Sequence, residues 1–122
     1  MTKEEVRVVI VEDDADIRES FAMLLEADGY TVLTFGDGEA ALAALGAFKP
    51  SCVLVDLGLP GMDGAAVAKR LRSEVGTELV VIAITATASQ AERDRLEVSG
   101  VDFVLSKPLA ADGLRRFLPP LN

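Results

Sequence analysis

CVLVDLGLPGMDG, residues 52–64, begins as an apolar run and ends as a turn. CVLV (52–55) is short, rich in β-branched residues and free of alternation, the pattern of a strand covered on both faces. It runs into a carboxylate, Asp56, then a Gly- and Pro-rich segment and a second acid, Asp63. VRVVIV (6–11) and LVVIAI (79–84) have the same character, while YTVLTF (30–35) and VDFVL (101–105) suit edge strands. Helical patterns separate them. Ile17, Phe21, Leu24 and Leu25 recur on one helical face, with Asp14 placed to cap that helix and Gly29 to end it. Further helices are expected over 38–48, 64–74, 89–99 and 111–118. Asp63 would cap the third helix, and Ser89 with Glu92 forms an S-x-x-E capping box for the fourth. Alternating strand and helix predicts an α/β fold: a doubly wound five-stranded parallel sheet, helices on both faces, right-handed crossovers. One domain over 1–122 is expected.

Half of the 122 residues are hydrophobic, which argues against a disordered chain. With 12 basic and 20 acidic residues the net charge is -8, unsuited to direct contact with nucleic acid or an anionic membrane. Cys52 is the single cysteine, so no internal disulfide is possible; inside CVLV it reads as a small core residue. The start, MTKEEVRVV, lacks the order of a signal peptide. The longest uncharged run, Leu79 to Ala91, is 13 residues and too short to span a bilayer. A soluble cytoplasmic protein is expected.

In an open parallel sheet, ligands bind beyond the carboxyl ends of the strands. Glu12, Asp13 and Asp14 follow the first apolar run, Asp56 the third, Thr85 the fourth and, one residue later, Lys107 the fifth. Each has an ordinary reading alone: Asp14 a helix cap, Thr85 a strand-end hydroxyl, Lys107 a solvated lysine, Pro108 a strand terminator. Their joint arrival at one edge does not. Crowded carboxylates repel, and a hard divalent cation with oxygen ligands relieves them; Mg²⁺ suits few carboxylates with room for water and phosphate oxygens. A carboxylate beside such an ion can attack a phosphoryl group, with Lys107 and Thr85 binding its equatorial oxygens. Asp56 is the natural nucleophile, since Gly58 and Gly61 let the chain turn around it, and a backbone carbonyl there could be a ligand.

Four motifs together, IVEDD (10–14), LVDLGLPGMDG (54–64), AITA (83–86) and SKPL (106–109), resemble a response-regulator receiver domain of two-component signalling over essentially the whole chain. The resemblance implies strand order 2-1-3-4-5 and Asp56 as phosphoacceptor. It implies Asp13 as a direct Mg²⁺ ligand, Glu12 acting mainly through water, the Gly58 carbonyl completing the protein ligands, and Mn²⁺ as a possible substitute. Thr85 and Lys107 would bind the phosphoryl group, and the Lys107–Pro108 bond would be cis. The donor would be a sensor histidine kinase or a histidine phosphotransfer protein, or a small phosphodonor, because this sequence has no histidine.

The implied protein is a signalling domain rather than an enzyme, a monomer or weak dimer. The residues two after the phosphoacceptor and two after the threonine, Gly58 and Thr87, offer no group to orient a water, so at most weak autophosphatase activity is expected. Relatives often carry an aromatic residue or histidine three before the lysine, which moves with the threonine; here Val104 stands there. A small change over 85–90 is therefore expected on phosphorylation. Phe103, pointing away from Val104, is expected to stay buried under a helix. The partner would sense mainly the crevice and the first helix.

Other readings fit less well. A dehalogenase-type phosphatase wants an acid where Gly58 stands, and a flavodoxin-like FMN binder would not place EDDAD against a phosphate. A pseudo-receiver acting only by protein contact has no need of the full residue set.

Overall fold

The β-branched runs become strands and the helical patterns become the crossovers between them. A computed structural model describes residues 6–56, 64–76, 78–85, 89–107, 113–114 and 116–119. These form β1 (Arg7–Val11), α1 (Ala15–Asp28), β2 (Thr31–Phe35), α2 (Gly38–Phe48), β3 (Cys52–Asp56), α3 (Gly64–Val75), β4 (Val80–Thr85), α4 (Gln90–Val98) and β5 (Phe103–Ser106). All pairings are parallel and the order is β2-β1-β3-β4-β5, the order expected. The three central strands are almost wholly buried, while β2 and β5 at the edges are only partly so.

Caps fix where the helices begin. Asp14 accepts the N–H groups of Asp16 and Ile17 at 2.9 and 3.2 Å, and Gly29 ends α1 at φ 112°, a conformation open to glycine. Asp37 caps α2 through the Ala40 N–H at 2.8 Å, and Ser89 caps α4 through the Glu92 N–H at 3.1 Å. Asp63, expected to cap α3, lies outside the described residues.

Alternation along the strands divides the core in two. Val8, Ile10, Leu54 and Ile82 face α1 and the segment carrying Leu114 and Leu118. Val9, Val53, Val55 and Val81 face the other side, with Leu45 of α2, Leu71 of α3 and Leu96 of α4. Cys52 is fully buried in β3, where burial and then the charge of Asp102 push its thiol up to about 12. That fits the core reading. At the amino-terminal edge of the sheet, Arg72 of α3 binds several neighbours at once. It donates to the carbonyls of Gly100 (2.9 Å) and Leu79 and to the Asp102 carboxylate, which also accepts the Val81 N–H at 2.8 Å. Tyr30, buried before β2, donates its hydroxyl to the Pro119 carbonyl at 3.0 Å.

Three expectations need correction. Ile17 and Leu24 are substantially exposed, and α1 packs through Phe21, Ala22 and Leu25 instead. Successive helical residues turn by about 100°, so Leu24 and Leu25 cannot both face the sheet. The fifth strand begins two residues later than VDFVL suggested, since its ladder with β4 opens at Phe103 opposite Ile82. Of the helix expected over 111–118, residues 111, 112 and 115 lie outside the described residues; Gly113 and Leu114 are helical, while Arg116 and Phe117 form a turn, with the Phe117 N–H bonded to the Leu114 carbonyl at 3.0 Å.

Candidate functional site

Strand register determines which side chains meet at the carboxyl edge. Val11 pairs with Val55, so the next residues of those two strands, Glu12 and Asp56, leave the sheet side by side. Asp56 pairs with Ile84 and Thr85 with Ser106, which brings Thr85 and Lys107 to the same edge one step further on. The Lys107 N–H donates to the Thr85 carbonyl at 2.8 Å, fixing the lysine's backbone to the strand that carries the threonine. Arg18 of α1 donates to the Glu12 carbonyl at 2.8 Å and so holds the end of β1.

Glu12, Asp56 and Thr85 are buried, whereas Asp13 is exposed. One carboxylate oxygen from each of Glu12, Asp13 and Asp56 lies within 4.8 Å of the others, a spacing that could hold a metal ion. Lys107 Nζ donates to Asp56 Oδ2 at 2.9 Å, and that bond is the main cause holding the ammonium above its usual pKa. Burial, then the hydrogen bond and charge of Asp56, pushes the Glu12 carboxyl up to about 7. Near neutrality the three carboxyl groups thus outweigh what Lys107 and a partly retained Glu12 proton can offset. This electrostatic strain is what a divalent cation relieves, and oxygen donors alone suit a hard ion.

The edge opens into a crevice of ≈ 470 Å³ whose polar end is Glu12, Asp56 and Lys107 and whose apolar wall includes Ile17, Phe21 and Ile84. The exposed Ile17 is thereby explained: it borders the crevice rather than the core.

Residues 8–118 match the response regulator receiver domain family. The chain belongs to that family. Response regulator MprA of Mycolicibacterium vanbaalenii is 37% identical over 109 residues, covering 89% of this chain and 47% of that protein. The DNA-binding response regulator MtrA of Mycolicibacterium paratuberculosis is 35% identical over 107 residues, covering 84% and 44%. This receiver therefore spans about half the length of the curated relatives it matches. Among solved structures, a CheY-like receiver domain protein from Methanospirillum hungatei superimposes with a TM-score of 0.87 at 26% identity, over 93% of this chain and 90% of that one. As a receiver, the chain is a module of two-component signalling.

The structure brings together Glu12, Asp13, Asp56, Thr85 and Lys107. Gly58, Gly61, Pro108 and, within 85–90, residues 86–88 including Thr87 lie outside the described residues. Phe103 is a correction: it is 37% exposed rather than buried. It opens an edge strand, and its ring meets Phe117 at 4.9 Å and 53° in place of a covering helix. Val104 points the other way, into the core on the α2–α4 side. Sequence reasoning missed one residue of the site's surroundings. Glu92, read only as part of a capping box, accepts a hydrogen bond from Thr85 Oγ1 at 3.5 Å. Seven positions and a loop separate the two, so no local pattern joins them. No helix among the described residues is long and apolar enough to cross a membrane.

Proposed function

We propose that this receiver takes a phosphoryl group onto Asp56 from a phosphohistidine of a sensor histidine kinase or a histidine phosphotransfer protein, or from a small acyl phosphate. The observation that carries the reading is a buried carboxylate at the end of a central strand, paired with Lys107 at 2.9 Å and flanked by two further acids. An Asp56 oxygen attacks phosphorus, the P–N or P–O bond to the donor breaks, and the leaving group departs with the bonding pair. Lys107 then moves from the carboxylate to a phosphoryl oxygen, and the Thr85 hydroxyl donates to another.

Asp13 and Asp56, with Glu12 and the Gly58 carbonyl, would hold Mg²⁺, and Mn²⁺ could substitute. When bound, the cation would neutralise charge on the carboxylates and the phosphoryl oxygens. The product is a mixed anhydride whose hydrolysis needs an oriented water. Gly58 and Thr87 supply no acid or amide for that, so self-dephosphorylation should be weak. The chain acts by accepting the group and altering what binds it, not by turning over a substrate. The expected setting is the cytoplasm, typical of response regulators.

Intact-protein mass after incubation with acetyl phosphate and Mg²⁺ tests this. One phosphoryl group is expected on the wild type and none on Asp56→Asn. Full labelling of that variant would move the acceptor elsewhere.

A further inference from the structure

We propose that Glu92 is a positioning residue that holds the Thr85 hydroxyl toward α4 until a phosphoryl group at Asp56 draws it away, so that α4 senses the state of the site. This rests on the phosphoacceptor reading above. A threonine hydroxyl has one proton to donate and serves one acceptor at a time. In the unphosphorylated chain the Glu92 carboxylate accepts it at 3.5 Å, long against the usual 2.7–2.8 Å and therefore weak. A phosphoryl oxygen offers a shorter, charge-assisted bond for the same proton.

The sequence motif adds a second observation. In an S-x-x-E capping box the glutamate side chain turns back to the cap's own N–H. Here Ser89 keeps its half, accepting the Glu92 N–H at 3.1 Å, while the Glu92 carboxylate reaches Thr85. Its neighbour Arg93 donates to the Val104 carbonyl at 3.2 Å and to Ser106 Oγ at 3.5 Å. The first turn of α4 is thus fastened to the strand end carrying Thr85 and to the strand leading into Lys107. Both phosphoryl-binding side chains change partner when Asp56 is modified. Val104 is too short to follow the threonine as an aromatic side chain does in relatives, and this polar connection is a route that needs no aromatic.

The test is beryllofluoride affinity in Mg²⁺, measured for the wild type, Glu92→Ala and the isosteric Glu92→Gln, each also in a Thr85→Ala background. Glu92→Gln keeps an acceptor oxygen and loses only the charge, so it serves as the charge control. Removing the competing acceptor with Glu92→Ala should tighten binding about threefold with Thr85 present. It should change nothing with Thr85→Ala, which separates competition for the hydroxyl from loss of a nearby negative charge or of helix stability. An equal gain in both backgrounds overturns the proposal, as does no gain in either. If the wild type binds no beryllofluoride and takes up no phosphoryl group, the phosphoacceptor reading itself fails and the inference falls with it.

Discussion

At the scale of the residue, Glu12 carries the most readable consequence. Unfolded, its carboxyl ionises near 4.5; in the native chain burial and Asp56 push it up to about 7. Between those values the folded state binds a proton that the unfolded state does not. Its stabilising share is therefore complete below 4.5 and is lost as the pH rises through about 7. Metal-free wild type should gain stability relative to Glu12→Gln as the pH falls from 7.5 to 4.5, in urea unfolding at each pH. A flat difference between the two would refute it. Cation affinity should move oppositely, rising with pH through the same window, because ligation needs the ionised form.

At the scale of the element, Arg72 joins α3 to the approaches of β4 and β5. Truncating it leaves the carbonyls of Gly100 and Leu79 and the Asp102 carboxylate without their guanidinium donor, at a cost of about 2 kcal/mol. Arg72→Ala should lower the urea midpoint accordingly while phosphoryl uptake survives, since the site lies at the opposite edge. Gly100 belongs to the same junction: at φ 104°, its missing Cβ would sit 2.7 Å from Arg72 Cγ. Most elements were legible in the chain because their signals are local: Asp14 and Gly29 bracket α1, and unbroken β-branched runs mark β1, β3 and β4. The misreadings share one cause. Phe103, Leu24 and the start of β5 depend on which surfaces meet across the molecule, and period-2 or period-3.6 patterns do not encode that. The meeting of Glu12, Asp13, Asp56, Thr85 and Lys107 at one edge was legible because strand ends converge by topology. Glu92 was not, since its partner is chosen by how α4 settles on β4.

At the scale of the whole molecule, the acidic edge trades native stability for a charge that awaits neutralisation. A cation that binds only the folded state stabilises it by mass action, about 2.7 kcal/mol at a hundredfold excess over Kd, or roughly a 10 °C rise in Tm for a domain of this size. Thermal melts should show that rise with Mg²⁺. Asp13→Ala should melt higher than wild type without metal and respond less to it; an unchanged response would remove Asp13 from the ligand set. Because the matched relatives are about twice as long, any output through a further domain would have to be read from this module's surface.

The Tyr30–Pro119 bond also determines what can be seen by light. The chain has one tyrosine and no tryptophan, so near-ultraviolet emission comes chiefly from a phenol hydrogen-bonded to the carboxyl-terminal segment, at the end of the sheet away from Asp56. That chromophore should stay dark to events in the crevice. Its spectrum should hold steady through Mg²⁺ and acetyl phosphate titrations and change when residues 119–122 are removed. Optical studies of this protein accordingly need a dye or an introduced tryptophan near Ile17, while its native emission serves as a gauge of the contact at Pro119.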